Sequence, residues 1–173
     1  MFFLMKFTQD IIVSPADLSK DLKKIIRAKL LEKMTGACNP RYGYYIKIIN
    51  IPDAINGLVM EGSGDIIFKV EYTVVLMRPF KGEICDGIIC KVLEEGGVHV
   101  KVGPMKVFIS NDDIKEKFIF DKNNNCYVNE KNNIELREGT KVRFRYKEIQ
   151  FNDNEFQPMG TMKGDYLGYI QDN

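Results

Sequence analysis

The chain has 173 residues, of which 25 are Lys or Arg and 24 are Asp or Glu, so its formal net charge at pH 7 is +1. A chain of this length folds as one large domain or two small ones and can bury roughly 70% of its unfolded surface. The near balance of charges excludes a uniform electrostatic field that would draw the whole molecule to nucleic acid or to a membrane. Any binding driven by charge must therefore come from a local patch.

The N-terminal segment predicts a strand followed by an amphipathic helix. MFFLMKFTQDIIV is rich in aromatic and branched residues, which is typical of a strand flanked on both faces, and it lacks the basic leader of a signal peptide. Ser14 as N-cap, Pro15 in the first helical position and Asp17 predict a helix that begins at residue 15 and ends at Gly36. Its apolar residues recur at helical spacing and predict a face that packs on a sheet: Leu18, Leu22, Ile25, Ile26, Leu30 and Met34.

Two further strands are predicted before residue 80. YGYYIKIINI is the first, and residues 65–77 alternate, with one face formed by Ile66, Phe68, Val70, Tyr72, Val74 and Leu76. Between these strands, residues 52–64 combine turn-forming Pro and Gly with apolar side chains, namely Ala54, Ile55, Leu58, Val59 and Met60. Two explanations stay open and are compatible: part of the loop is a short strand, or its apolar side chains serve a partner.

The segment RPFKGE predicts a domain boundary, because Pro79 cannot donate to a strand ladder and Gly82 permits a turn. The predicted domains are 1–80 and 81–173. Several short strands with glycine turns follow, and they predict a small barrel or sandwich: EICDGIICKVL, VHVKV, KVFIS, KVRFRYKEIQF and FQPMGTM. The Asn-rich residues 118–139 are predicted to be the least structured part of this half, a mobile excursion between barrel strands.

Strand alternation predicts an exposed face of rings and cations on the second domain. When the valines of VHVKV and KVFIS face the barrel interior, the outward residues are His99, Lys101, Lys106 and Phe108. On the later strand KVRFRYKEIQF the outward residues are Lys141, Arg143, Arg145 and Lys147. Rings combined with cations are what single-stranded nucleic acid binding uses. The alternative also stays open that these cations are simply the solvated side of a strand.

The sequence predicts no catalytic, metal or cofactor site. Its cysteines (Cys38, Cys85, Cys90 and Cys126) form no CxxC pair, and we expect reduced thiols. A catalytic triad would have to use His99, the one histidine, which no serine or cysteine motif accompanies. EGSGD at 61–65 is neither a nucleophile elbow nor a phosphate-binding loop. A hydrolase that uses His99 is therefore only a third hypothesis.

Five segments, taken in order, resemble one known family. They are YGYYIKI, GSGDIIFKVEY, RPFKGE at 78–83, VGPMKVFIS at 102–110 and GDYLGYI at 164–170. They are similar to the larger stalk subunit of eukaryotic RNA polymerase II, the seventh subunit, which is related to the equivalent stalk protein of archaeal RNA polymerase. The resemblance covers nearly the whole chain. It implies an α+β N-terminal truncated ribonucleoprotein-like domain followed by an all-β OB-fold barrel of the ribosomal S-one type.

The resemblance also implies a function without catalysis. The chain would form a heterodimer with the fourth subunit, dock on the polymerase II core near the clamp, and bind the emerging single-stranded RNA transcript during initiation and elongation. Its location would be the nucleus, with no membrane partner. The docking tip matches residues 52–64, and the candidate docking residues are Ile55, Leu58, Val59, Met60, Gly62 and Gly64.

The implied RNA site places His99 and Phe108 where the family has exposed rings, with cations from Lys101, Lys106, Arg143 and Arg145. An imidazole at the first ring position is a departure from the family. It predicts weaker RNA binding, or binding that strengthens as the pH falls toward 6. The alternative function, a free-standing OB-fold factor of translation or RNA processing, also explains the basic strand. It leaves the apolar tip and the N-terminal helix without a role.

Overall fold

The computed structural model of the chain describes residues 1–18, 21–34, 36–52, 56–94, 96–114, 118–122, 124–129 and 134–171. The chain divides into two compact units, Met1–Arg78 and Pro79–Asn173. No helix in the described part has the length and hydrophobicity that a membrane span requires.

The N-terminal unit is an antiparallel sheet with a helix on one face. Its elements are β1 (Phe2–Val13), α1 (Leu22–Met34), β2 (Cys38–Asn39), β3 (Gly43–Asn50), β4 (Gly57–Val59) and β5 (Ile66–Met77). The strand order is β1-β5-β3-β2, and β4 pairs with the beginning of β5. β1 and β5 pair along their whole length, from Phe2 opposite Met77 to Val13 opposite Ile66.

The core of this unit lies between α1 and the sheet. The helix buries Ile26, Leu30 and Met34, which are four residues apart and therefore share one face. The sheet contributes alternate residues of its two long strands: Ile11, Val13, Phe68, Val70, Tyr72, Val74 and Leu76. The alternation predicted for residues 65–77 is therefore confirmed.

The helix begins later than predicted. Pro15–Asp17 form only a short 3-10 helix, Ser14 makes no side-chain capping bond, and Leu18 is extended. The α-helix begins at Leu22. The carbonyl of the preceding residue, Asp21, accepts hydrogen bonds from the amides of Lys24 and Ile25. The capping signal at Ser14 thus begins a single turn and not the α-helix. Leu18, expected on the buried face, is exposed.

The first strand is covered on one face only, which contradicts the prediction that both faces are flanked. The side chains at even positions from Phe2 to Ile12 are exposed, whereas those at odd positions are partly or fully buried. Phe2 is 62% and Leu4 63% exposed. The aromatic and branched composition of this strand therefore reflects an uncovered apolar face and not burial on both sides.

The C-terminal unit is built on a barrel. Its strands are β6 (Ile84–Leu93), β7 (Gly97–Val102), β8 (Met105–Ser110), β12 (Lys141–Asn152), β13 (Glu155–Thr161) and β14 (Gly168–Tyr169). They are ordered β13-β8-β7-β6-β12-β14, and an additional pairing of β12 with β13 closes the sheet. Five closed strands with a short sixth at one edge form an OB-fold barrel, as predicted.

The interior of the barrel confirms the predicted alternation. Alternate residues of three strands are fully buried: Val98, Val100, Val107, Ile109, Val142 and Phe144. Gly160 packs directly against Phe144, and a Cβ added there would lie 2.8 Å from the ring. The outward positions of the same strands are thereby fixed, because successive side chains of a strand point to opposite faces.

The Asn-rich segment is more structured than predicted. β9 (Ile119–Asp121), β10 (Cys126–Asn129) and β11 (Ile134–Leu136) form a three-stranded antiparallel sheet. The buried Tyr127 attaches this sheet to the barrel, because its hydroxyl donates to the carbonyl of Leu93 at 2.7 Å and accepts from the amide of Gly97 at 3.2 Å. The prediction of a mobile excursion is wrong for the described part, and residues 123 and 130–133 lie outside it.

Candidate nucleic-acid interface

Four neighbouring strands bring one row of side chains across the outside of the barrel. His99 on β7 lies opposite Phe108 on β8 and opposite Lys91 on β6. Phe108 is paired in turn with Met159 on β13. We call Met159, Phe108, His99 and Lys91 the ring row. Because paired strands lie about 4.8 Å apart, the row is about 14 Å long.

The two rings of this row contact each other. The centroids of His99 and Phe108 are 5.4 Å apart, and their planes are inclined by 50°. This is the range in which aromatic pairs attract each other. Both side chains are half-buried, so each ring is held by its neighbours and still presents part of its surface to solvent. A nucleic-acid base can stack on that exposed part.

Cations lie beside the ring row and at one end of it. Lys101 and Lys106 are exposed and lie opposite each other on β7 and β8. Lys91 ends the row and was missed in the sequence, because a β-bulge between Ile89 and Lys91 interrupts the alternation. Counting from the buried Ile89 would have turned Lys91 inward. Met159 could have been found, since the strand that contains it alternates without interruption.

His99 acts as a neutral ring at physiological pH. Partial burial, together with the positive charges of Lys91 and Lys106, lowers the pKa of the imidazole below its ordinary value. Its buried Nδ1 has no hydrogen-bond partner among the described residues. The free protein therefore gains less of the imidazolium charge, as the pH falls toward 6, than was expected to strengthen RNA binding. The electrostatic contribution of the site comes from its lysines.

The two predicted arginines are not brought together with the rings. Arg143 and Arg145 are exposed on β12, which pairs with β6 on one side and with β13 on the other. In a closed five-stranded barrel this position is two strands away from both β7 and β8, so the outward directions diverge. The alternation of the basic strand was predicted correctly. Its place in the barrel could not be deduced from alternation.

Arg143 also has a partner within the protein. Its Nε donates to Oδ1 of Asp86 at 2.6 Å, and its Nη2 donates to Oδ2 at 2.8 Å. These hydrogen bonds lower the pKa of the Asp86 carboxyl. A bidentate pair of this kind fixes the guanidinium and balances its charge. Arg143 is therefore a weaker candidate for RNA contact than the sequence suggested, whereas Arg145 remains an exposed cation on the other side of the barrel.

Asp113 fixes the segment that directly follows β8, the strand that carries Phe108. Its buried carboxylate accepts two hydrogen bonds from Nζ of Lys147, at 3.1 and 3.0 Å, and one from Oγ of Ser110 at 3.1 Å. Burial alone would raise the pKa of this carboxyl, but the hydrogen bonds outweigh it and hold the pKa below its ordinary value. The main-chain oxygen of Asp113 also accepts from the amide of Met162 at 2.8 Å. Asp113 thus connects the end of β8 to β12 and to the end of β13.

The predicted docking tip is an uncovered hairpin of the N-terminal unit. β4 pairs Gly57, Leu58 and Val59 with Phe68, Ile67 and Ile66 of β5. Leu58 is 78% and Val59 69% exposed. Because neighbouring residues of a strand point to opposite faces, β4 carries uncovered side chains on both of its faces.

Glycines shape both ends of the hairpin. Gly57 packs on Phe68, and an added Cβ would lie 2.6 Å from that ring. The turn is closed by the amide of Met60, which donates to the carbonyl of Asp65 at 2.7 Å. Within it Gly62 and Gly64 have φ angles of +95° and +74°, which favour glycine. The first explanation from the sequence is therefore confirmed, since part of the loop is a short strand. That its uncovered apolar side chains serve a partner stays a prediction. Ile55 and Ala54 lie outside the described residues.

Comparison with known proteins decides the family. Residues 78–154 match the S1 RNA binding domain, and residues 8–64 match the SHS2 domain found in the N terminus of Rpb7p/Rpc25p/MJ0397. DNA-directed RNA polymerase II subunit rpb7 of Schizosaccharomyces pombe is 34% identical over 98% of this chain and 99% of its own. The chain belongs to the RPB7 family. The Dictyostelium discoideum rpb7 is 31% identical over 98% of this chain and 99% of its own, and Saccharomyces cerevisiae RPB7 is 28% identical over 98% and 100%.

The two domain matches of this RPB7 relative overlap the two candidate surfaces. The SHS2 match contains β4 and the turn of the hairpin up to Gly64, and the S1 match contains Lys91, His99 and Phe108. The predicted fold of an α+β N-terminal domain followed by an S1-type barrel is confirmed. Among solved structures, the apo form of Mycoplasma genitalium RNase R is 19% identical over 46% of this chain and 13% of its own, with a TM-score of 0.39. A similarity at that level supports no conclusion about fold or function.

In the described part of the chain, no group of three or more His, Cys, Asp or Glu residues is placed to hold a metal ion.

Proposed function

We propose that this chain is a noncatalytic stalk subunit of nuclear RNA polymerase II that docks through its hairpin and guides single-stranded RNA over its barrel. The observation that carries the proposal is the ring row. His99 and Phe108 are half-buried and in contact, with cations beside them on the same and neighbouring strands. This arrangement lies within the part of the chain that matches the S1 RNA binding domain.

The chemistry of the ring row suits RNA of any sequence. Every base has a face that stacks on an aromatic ring, and each stacked base contributes roughly 1 to 3 kcal/mol. Lys91, Lys101 and Lys106 would contact phosphates, and these contacts weaken as salt rises. Binding should therefore be tolerant of sequence and sensitive to ionic strength. Such binding suits a surface over which an emerging transcript passes.

The hairpin is proposed to dock on the polymerase core near the clamp. Leu58 and Val59 are exposed on opposite faces, so a single flat surface could not cover both. Insertion into a cleft of a larger assembly would remove both from water. Burying an aliphatic side chain of this size stabilises an interface by roughly 1.5 to 3 kcal/mol. The candidate docking residues remain Leu58, Val59 and Met60, with Gly62 and Gly64 shaping the turn and Ile55 preceding it.

Pairing with the fourth subunit is supported by the uncovered face of the N-terminal sheet. Phe2, Leu4 and Ile12 are exposed on one side of β1. β1 also lies at the edge of its sheet, so one side of its backbone is open to another strand. An apolar face beside an open edge is typical of a surface that a partner protein covers.

Copurification of the assembled complex tests the proposal. Tagged wild-type chain expressed in its own cells should recover polymerase II subunits, including the fourth, and Leu58→Asp should lose the core. Phe108→Ala serves as the matched control, because it should retain the core and lose RNA affinity. Recovery of no polymerase subunit with the wild-type chain would contradict the proposal. Tight RNA binding by that unassembled chain would then favour a free-standing RNA-binding factor.

A further inference from the structure

Strand β1 leaves one of its two backbone edges open. It lies at the end of the strand order of its sheet, and among the described strands it pairs with β5 alone. Its 12 residues rise about 3.3 Å each, so the open edge is about 40 Å long. An open edge of this length is a template on which another strand can form a ladder.

The even-numbered residues of β1 present their backbone groups to this open edge. Met1 and Arg78 continue the ladder with β5, because the amino group of Met1 donates to the carbonyl of Arg78 at 2.8 Å and the amide of Arg78 donates to the carbonyl of Met1 at 3.1 Å. In an antiparallel ladder, pairs that exchange two such bonds alternate with pairs whose backbone groups point away from each other. The odd-numbered residues therefore bond to β5. In agreement, the carbonyl of the even-numbered Ile12 accepts from Nζ of Lys29 at 3.2 Å.

The side chains along the open edge are complementary about Thr8. Exposed on one face of β1 are Thr8, then Lys6 and Asp10 two positions away, then Leu4 and Ile12 four positions away. When a second copy runs antiparallel and is centred on Thr8, its Asp10 lies opposite Lys6. Its Ile12 lies opposite Leu4, and the two Thr8 residues lie opposite each other. Opposite charges, apolar pairs and Thr pairs are combinations that stabilise an antiparallel ladder.

This complementarity selects one register. In the two nearest registers that keep the same face outward, Leu4 lies opposite Asp10 or Lys6 lies opposite Ile12, so a charge meets an apolar side chain. Charged residues on an edge strand usually oppose pairing with another chain. Charges of one sign would repel a second copy, whereas Lys6 and Asp10 have opposite signs and are equally far from Thr8. The edge therefore favours a second copy of itself.

The charges within the chain are compatible with this pairing. On β5, Lys69 lies opposite Asp10 and Thr73 lies opposite Lys6. Among the described residues, neither Lys6 nor Asp10 forms an ion pair. In the paired copies, a row across the two sheets would read Lys69, Asp10 and then Lys6 of the second copy. Because the signs alternate along this row, each neighbouring pair in it attracts.

A groove beside the edge gives room to the other face of the second strand. It has a volume of about 480 Å³, and its lining is formed by Asp10, Ile11, Ile12, Lys29, Glu32 and Lys33. In the register centred on Thr8, Met5 of the second copy lies opposite Ile11, on the helix side of the sheet. Methionine is unbranched and fills irregular spaces between neighbouring elements. The groove is therefore placed to receive this side chain.

We propose that two copies of the unassembled chain pair through β1, antiparallel and centred on Thr8. The same edge is proposed above to meet the fourth subunit, so the two pairings exclude each other and the self-pairing describes the chain before assembly. The inference does not rest on the polymerase assignment, because it uses only the geometry and the side chains of the N-terminal unit.

Analytical ultracentrifugation of the purified full-length chain tests the pairing, and wild type should show a monomer–dimer equilibrium. Lys6→Asp and Asp10→Lys each place like charges opposite each other twice in the dimer, so each should weaken dimerisation at least about tenfold. Mixing the two variants should restore the dimer, because every pair is then opposite in charge. Lys47→Asp is the matched control, since it makes the same change of charge at an exposed position of β3. It should change the dissociation constant by less than about twofold.

Oxidative crosslinking tests the register without a change of charge. Thr8→Cys should form a disulfide-linked dimer, because the two Cα atoms of a directly opposed pair are about 5.5 Å apart. Leu4→Cys should not, since the two copies of Leu4 would be separated by eight residues along the ladder, about 26 Å. The wild-type chain, with its own cysteines, provides the background.

Four results would overturn the proposal. One is a wild-type chain that stays monomeric at every concentration, and another is an equal effect of Lys6→Asp and Lys47→Asp. The third is a mixture of folded Lys6→Asp and Asp10→Lys chains that does not associate. The fourth is crosslinking at Leu4→Cys but not at Thr8→Cys. None of these results bears on copurification with the polymerase, so the proposed function is tested separately.

Discussion

Phe108→Ala removes one of the two rings on which RNA is proposed to stack. Each stacked base contributes roughly 1 to 3 kcal/mol, and about 1.4 kcal/mol corresponds to a factor of ten. RNA affinity should therefore fall by a factor of about 5 to about 140. The ring is half-buried and lies outside the barrel core, so the loss of folding stability should stay below the roughly 3 to 5 kcal/mol of a core Phe→Ala change. The variant should remain folded.

Fluorescence anisotropy with a labelled oligouridine measures this effect. Tyr169→Ala is the control, because Tyr169 is a ring 45% exposed on β14, away from the ring row, and its removal should leave RNA affinity unchanged. Since Phe108 carries no charge, Phe108→Ala should not change the salt dependence of binding. Lys101→Ala should reduce the slope of log affinity against log salt concentration by about 0.7, because one contact to a single-strand phosphate is lost. A folded Phe108→Ala variant that binds within about twofold of wild type would refute the proposed stacking role.

Four further predictions follow from the geometry. Arg143→Ala should leave oligouridine affinity within about twofold of wild type, because the guanidinium is held by Asp86 away from the rings. A larger loss of affinity would show that β12 belongs to the RNA-binding surface. RNA affinity should change little between pH 8 and 7, because the pKa of His99 is lowered below its ordinary value of about 6.5; a pH titration in which binding strengthens clearly over this range would contradict this. Asp113 has a lowered pKa, so it stabilises the fold above about pH 4 and loses this contribution as the pH falls through the lowered pKa. Asp113→Asn should therefore lower the unfolding free energy at pH 7 by about 1 to 3 kcal/mol and by less in acid, as urea titrations would measure. Leu58→Asp should abolish recovery of the polymerase core and leave thermal stability unchanged, since Leu58 is uncovered in the chain itself; retained recovery would remove the hairpin from the docking surface.

Local periodicity explains what could be predicted from the sequence. A strand has a repeat of two, so burying Val98 and Val107 determines that His99 and Phe108 face outward. The same reasoning assigned the two faces of β5 in the N-terminal unit correctly. It required no knowledge of which strands are neighbours. The resemblance to a known family supplied the fold of each domain and the proposed role of the hairpin.

Pairing over long distances explains what could not be predicted. The position of β12 across the barrel follows from closure of the sheet, and the ion pair of Arg143 with Asp86 joins residues that are 57 positions apart. The bulge before Lys91 depends on the pairing of β6 with β7. In the Asn-rich segment, Tyr127 is held by a hydrogen bond to the carbonyl of Leu93, 34 positions away. The polar composition of the segment could not predict this tertiary contact.

Photo-crosslinking in the assembled polymerase tests the central claim most directly. A photoreactive phenylalanine analogue placed at position 108 should crosslink to the emerging transcript, because this ring faces outward in the ring row. The same analogue at position 143, two strands away on the closed barrel, should not. Transcript captured at position 143 and not at position 108 would contradict the account.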